Sequence, residues 1–149
     1  CLVLHASDLP DGAGWSPHIW YIINGINEIT VTMFEAEEEI DSGRVWGKKS
    51  FQLDGTELLP EINERLFETE IFLMTKWLAG GYGVTPTLQT GKRGKHFKKR
   101  TPADSRLDPE RSLSGQFDLL RTVDNDRFPA FFELRGRRYL LKIEPDDEC

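Results

Sequence analysis

Three segments in the first 53 residues leave few folds open. Residues 1–6 carry Leu2, Val3 and Leu4, a continuous apolar run that reads as a short strand covered on both faces. Residues 7–16 are rich in Gly, Pro, Asp and Ser, so a loop follows. Ser16-Pro17 then starts a helix, with Ser as the cap and Pro in the first turn. That helix would bury Ile19, Trp20, Ile22 and Ile23 and stop near Asn24-Gly25. Residues 29–35 alternate, with Ile29, Val31 and Met33 on one side and Thr30, Thr32 and Phe34 on the other. Residues 44–53 supply a further strand. The order strand–helix–strand predicts a βαβ unit with parallel pairing, and hence an α/β fold.

The rest of the chain adds one strong helix and a mixed tail. Leu58, Ile62, Leu66, Phe67, Ile71, Met74 and Leu78 recur at helical intervals over 57–79, and the run GGYG at 80–83 ends the helix. Residues 84–110 are polar, basic and punctuated by Pro86, Pro102 and Pro109, which reads as a long loop, functional or mobile. A second helix is expected over 110–123, with Leu113, Phe117, Leu120 and Val123 inward. The final segment, FPAFFELRGRRYLLKI, reads as a hairpin turned at Arg135-Gly136. The expected organisation is therefore 1–83, a basic linker loop over 84–110, and a small helix-plus-hairpin tail over 111–149.

A chain of 149 residues suits one domain, and its formal net charge of −6 argues against wholesale nucleic-acid binding. No apolar run is long enough to span a bilayer, and the opening lacks the pattern of a signal peptide. Cys1 and Cys149 make neither a disulfide framework nor a zinc site, so a reducing cytoplasm is the simpler expectation over a lipoprotein-type anchor at Cys1. The chain opens on an apolar strand rather than on Met, which suggests a piece of a longer protein with elements upstream.

Ligands of open parallel sheets bind outside the carboxyl ends of the strands, where His5 lies. A histidine there serves as acid, base or electrostatic partner near neutral pH. Position alone equally suits a surface histidine with a structural hydrogen bond. Asp41, in the acidic stretch EAEEEIDSG, is a carboxylate that a neighbouring strand could bring to the same edge to orient His5. It also suits a plain turn, and the surrounding glutamates suit a solvated loop. The basic run GKRGKHFKKR, 91–100, could meet a phosphate or simply be solvated. Trp15, in a Gly-rich loop, is a better candidate for stacking a ligand than Trp20, which suits the core. His5, His18 and His96 lack a metal-binding spacing.

The joint pattern HASDLPDGAGWSP and ITVTMFEAEEEIDSGRVW resembles the N10-formyltetrahydrofolate-dependent formyltransferases. His5, Ser7, Leu9, Pro10, Gly14, Pro17, Thr30, Val31, Thr32, Asp41 and Gly43 match that family's motifs in order. In the tail, Arg100, Pro102, Asp104, Leu120, Arg121, Pro129, Ala130 and Phe131 resemble the segment that follows the catalytic domain in the tRNA and amino-sugar members. Three positions depart from the pattern: Val3 where the family has Asn, Asp8 where it has Leu, and Ala13 where it has Arg. The family's N-terminal half has no counterpart here.

The resemblance implies a partial Rossmann-like domain that transfers a formyl group from N10-formyltetrahydrofolate to a primary amine, without a metal. It implies His5 and Asp41 as the catalytic pair. Glu37, Glu38, Glu39, Ile40 and Asp41 would line the folate, and Ser7, Leu9, Pro10, Gly14 and Trp15 would form the floor for the acceptor. The length after Arg100 favours a nucleotide-linked amino sugar as that acceptor, with a methionyl-tRNA formyltransferase-like enzyme as one alternative. A diverged fragment that binds a ligand or partner without turnover is another. Nucleic-acid and membrane partners are not expected.

Overall fold

A computed structural model describes residues 1–80, 83 and 85–146. Strands β1 (Leu2–His5), β3 (Glu28–Glu35) and β4 (Val45–Gln52) form one sheet in the order β1-β3-β4. A two-residue strand β2 (Ala13–Gly14) and helix α1 (Pro17–Ile23) lie between β1 and β3, and α2 (Leu59–Gly80) follows β4. Beyond it come β5 (His96–Phe97), one helical turn α3 (Phe117–Leu120) and the hairpin β6 (Ala130–Leu134) and β7 (Arg137–Leu141). No helix among the described residues is long and apolar enough to cross a membrane.

The sheet is antiparallel throughout, not parallel. β1 pairs with β3 from Leu2↔Glu35 to His5↔Thr32, and β3 pairs antiparallel with β4. A parallel crossover must carry the chain back along the sheet. The helix α1 has seven residues and spans about 10 Å, too little to traverse an eight-residue strand of about 27 Å. The connection therefore stays at the carboxyl end of β1, and β3 starts there and runs back. β1 is accordingly an edge strand of half-exposed residues rather than a strand covered on both faces.

The alternation in β3 separates the core from the site. Val31 and Met33 are buried against Leu66 and Leu73 of α2, and Ile29 is buried with Ile22, Leu53 and Ile62. Each such side chain contributes about 1.5–3 kcal/mol when fully buried. Thr30, Thr32 and Phe34 face the other way, where Thr32 Oγ1 donates to the Ser7 carbonyl at 2.6 Å. The apolar positions of α2 divide into two stripes. Ile62, Leu66 and Leu73 are buried, whereas Phe67, Ile71, Met74 and Leu78 are exposed. The helix ends at Gly80, and Gly81 and Tyr82 lie outside the described residues.

The second expected helix is reduced to a 3-10 turn over Ser114–Gln116 and the single turn of α3. Side chains compete for the backbone there. The Gln116 amide accepts from the Asp108 N–H and donates to the carbonyls of Asp108, Arg111 and Ser112, and Ser112 Oγ accepts from the Gly115 N–H. Leu113 is consequently exposed rather than inward. A third cluster, Leu107, Leu120, Val123 and Ala130, holds this tail together. Positive φ at Arg135 (52°) and Gly136 (76°) makes the two-residue hairpin turn.

Candidate active site

His5 and Asp41 are brought together by two different devices. β1 delivers His5 at its carboxyl end, where its ring packs edge-on to Phe34 at 6.5 Å. Antiparallel pairing carries β3 away from His5, so Glu35 ends opposite Leu2. The loop 36–44 then doubles back. Asp41 closes it in the left-handed region, φ 57°, which Asp tolerates better than most residues. His5 Nε2 lies 3.8 Å from Asp41 Oδ2, and each side chain is about nine-tenths buried (both 11% exposed).

The surrounding backbone fixes this pair. His5 Nε2 stands 3.0 Å from the Gly12 carbonyl. A carbonyl only accepts, so Nε2 carries a proton. Asp41 Oδ2 accepts the Gly14 N–H at 3.0 Å, and the Gln89 amide donates to the carbonyls of Asp41 and Gly43, both at 2.9 Å. Gly14 adopts φ 103° with its backbone against Phe97, since β2 pairs in parallel with β5. A Cβ at this position would strike the Phe97 carbonyl oxygen, so Gly14→Ala should lower the urea midpoint by the equivalent of about 1–3 kcal/mol. An unchanged midpoint would show that β5 yields freely.

The remaining expected residues separate into groups. Ser7 and Leu9 are buried beneath the site, and Ser7 Oγ has no hydrogen-bond partner among the described residues. Pro10, Ile40 and Asp41 line a cleft of about 310 Å³ with Arg93 and His96. Ile40 is 76% exposed. Glu39 pairs with Arg93 at 2.6 Å. Glu37 and Glu38 are exposed and do not join the site through any described contact. Trp15 is 58% exposed, and Trp20 is half-buried and stacks on Phe97 at 6.3 Å. Ser16 precedes α1 but makes no side-chain cap, because its own φ is 45°.

Several site residues were not singled out from sequence. Lys48 Nζ reaches Asp8 at 2.5 Å and the Leu9 carbonyl at 2.6 Å, pinning the turn below His5. Asp11 accepts from Tyr21 Oη at 2.7 Å and from the Lys95 N–H at 2.9 Å. Burial, then the bonded Asp11 carboxylate, holds the Tyr21 hydroxyl protonated well above its ordinary range. The chain from Gln89 to Lys98 thus wraps the site, though its sequence offered only a run of charge.

His18 is buried in α1, with Nδ1 unpartnered among the described residues. Burial, then the nearby charge of His5, pushes its pKa down to about 4. The unfolded chain binds this proton more tightly, so stability is full above pH 6.5 and falls as the pH drops toward 4. The wild-type chain should lose roughly 2 kcal/mol more than His18→Gln between pH 7.5 and pH 5. Parallel pH profiles of urea unfolding would refute this.

Methionyl-tRNA formyltransferases and sugar N-formyltransferases are among the homologues and structural neighbours of this chain. No protein-family model matches the chain. In sequence it is 28% identical over 145 residues to methionyl-tRNA formyltransferase of Lachnospira eligens, covering 96% of this chain and 45% of that protein. The methionyl-tRNA formyltransferase structure from Clostridium thermocellum superposes with a TM-score of 0.80 at 25% identity, over 99% of this chain and 64% of the other. A sugar N-formyltransferase from Shewanella sp. gives 0.77 at 23% identity, over 98% and 61%. HypX from Aquifex aeolicus in complex with tetrahydrofolic acid gives 0.71 at 23%, over 95% and 25%. The chain thus spans less than half of that curated relative and under two thirds of these solved chains.

Proposed function

We propose that this chain carries the catalytic pair of an enzyme that moves a formyl group from N10-formyltetrahydrofolate to the primary amine of a nucleotide-linked amino sugar. The observation that carries the reading is the His5–Asp41 pair, buried together at 3.8 Å on a formyltransferase fold. Support for a folate comes from the tetrahydrofolic acid complex of HypX, and support for a sugar from the sugar N-formyltransferase neighbour.

The residues fit the folate's reactive end. The cleft beside Asp41 offers the exposed apolar Ile40 next to the carboxylate and to Pro10. Loop 37–41 would hold the pterin there, and N10-formyltetrahydrofolate would supply the formyl carbon to the attacking amine, which would lose a proton as the bond from that carbon to N10 breaks and N10 leaves with a proton. His5, protonated, would stabilise negative charge growing on the formyl oxygen. Its Nε2 is committed to Gly12, so Nδ1 is the nitrogen that takes or gives a proton. Asp41, fixed by Gly14 N–H, would hold the imidazole ring in place. Pro10 and Gly14 would floor the acceptor site, supported from below by the buried Ser7 and Leu9, with Trp15 at its mouth. The proposed division remains catalytic over 1–83, linker over 84–110 and tail over 111–149, in a cytoplasmic protein.

The test is incubation with N10-formyltetrahydrofolate and a panel of nucleotide-linked amino sugars, followed by mass spectrometry of the acceptor. A formylated sugar supports the proposal, and formylation of methionyl-tRNA alone would replace the acceptor. Val3 occupies a place where the family carries an amide donor, which favours a second reading: ligand binding without turnover. Tetrahydrofolate binding with no formylated product would establish it.

A further inference from the structure

Strand β4 carries a glycine that its backbone does not require. Gly47 sits within the strand, opposite Met33, and no left-handed angle calls for it. A Cβ there would meet only Leu73 Cδ2, at 3.6 Å. Glycine inside a strand weakens it, and often marks a place where a ligand or another backbone comes close. No backbone comes close to Gly47. Instead a cavity of about 420 Å³ opens between β4 and the last turns of α2. That is the size range of small-molecule sites.

The walls are apolar and aromatic. Met33 and Leu73, both buried, line the cavity together with Trp46 and Trp77. The two indoles meet edge to face, with ring centroids 6.1 Å apart at 88°. Trp46 Nε1 donates to Glu35 at 3.1 Å, which fixes that ring. Among the described residues no carboxylate lines the cavity, in a chain of net charge −6. Two lysines do. Lys48 Nζ is committed to Asp8 and to the Leu9 carbonyl. Lys76, exposed on α2, has no ion pair among the described residues. The helix ends one turn later at Gly80, and its last carbonyls disfavour an anion there. The positive charge available to a ligand is therefore that of Lys76.

We propose that this cavity binds a small flat aromatic acid, with its ring among Met33, Leu73 and the two indoles and its carboxylate on Lys76. Aromatic rings pack favourably on indoles, edge to face or offset. An ammonium at the rim pairs with a carboxylate without being drawn out of water. The missing side chain at Gly47 makes the room. This site does not rest on the formyl-transfer reading. Gly47 and Met33 are on the α2 face of the sheet, whereas His5, opposite Thr32, is on the other.

Cinnamate titrated into the 149-residue chain tests the cavity, read by calorimetry and by the indole N–H resonances of the four tryptophans. Saturable binding is expected, with shifts at Trp46 and Trp77 and none at Trp15 or Trp20. Gly47→Val puts two methyl groups into the cavity and should abolish binding in a chain that keeps its circular dichroism spectrum. Lys76→Gln should weaken binding about fivefold, and uncharged cinnamamide should bind the wild-type chain more weakly by a similar factor. Lys142→Gln, in the tail, should leave binding unchanged. Absence of saturable binding, undiminished binding in Gly47→Val, or shifts confined to Trp15 and Trp20 would each overturn the proposal. Equal affinity for cinnamamide would overturn the assignment of an acid. Should Gly47→Val lose its fold, the tryptophan shifts and the Lys76→Gln titration still decide.

Discussion

His5→Ala is expected to lower formyl transfer by about 10²–10⁴-fold while the chain keeps its circular dichroism spectrum. The side chain makes one hydrogen bond, to Gly12, so its loss removes about 1 kcal/mol of stability. Asp41→Asn is the sharper test of the pair. Asn also tolerates the left-handed backbone at this position, so the loop should survive while the negative charge is lost. It should retain the Gly14 N–H bond through its amide oxygen and lose about 10²-fold or more in rate. The double variant should be little worse than His5→Ala, because the two residues act as one unit. Initial rates with N10-formyltetrahydrofolate and an accepted amine decide the matter. Near-normal turnover in either single variant would remove the pair from the mechanism.

Arg121→Ala should destabilise the chain by about 3–5 kcal/mol, the largest effect expected of any substitution away from the site. The Arg121 side chain is fully buried. Its Nη2 donates to Asn27 Oδ1 at 2.6 Å, its Nη1 to the Glu57 carbonyl at 3.3 Å, and its Nε to Asp118 at 2.8 Å. One side chain therefore ties the tail to the entry of β3 and to the segment before α2. Alanine leaves the Asn27 oxygen and the Glu57 carbonyl unpaired, and leaves Asp118 without its cation. Hydrogen bonds to Glu57 from the N–H groups of Asp54 and Gly55, together with the Arg121 charge, hold its carboxyl below the ordinary range against the opposing pull of burial. Urea unfolding would measure the loss, and a change below about 1 kcal/mol would show that the tail is held by its apolar cluster instead.

Elements with a strong local pattern were legible from sequence. The alternation of β3, the periodicity of α2 and the Arg135-Gly136 turn all lie where their residues place them. The direction of β1 was not legible, because a run of Leu and Val does not say which way its neighbour travels. The length of α1 held the answer: seven residues are too few to cross the sheet. The tail helix failed because Gln116 and Ser112 satisfy backbone groups that a helix would have used. At the site, His5 and Asp41 were visible as a pair only through the joint motif. Lys48, Asp11 and Gln89 carry no pattern, since each acts on backbone groups distant in sequence.

The wrapping of 89–98 around the motif loop also sets when the site can exist. Lys95 meets Asp11 across 84 positions and Lys98 meets Trp20 across 78. Closing loops of that length is entropically costly, and long-range pairings slow folding. A ribosome releasing this chain would complete β1 and the acidic loop long before the segment that braces them. The braced arrangement of His5 and Asp41 is thus absent from the nascent chain and arises only once its second half has been made and has docked.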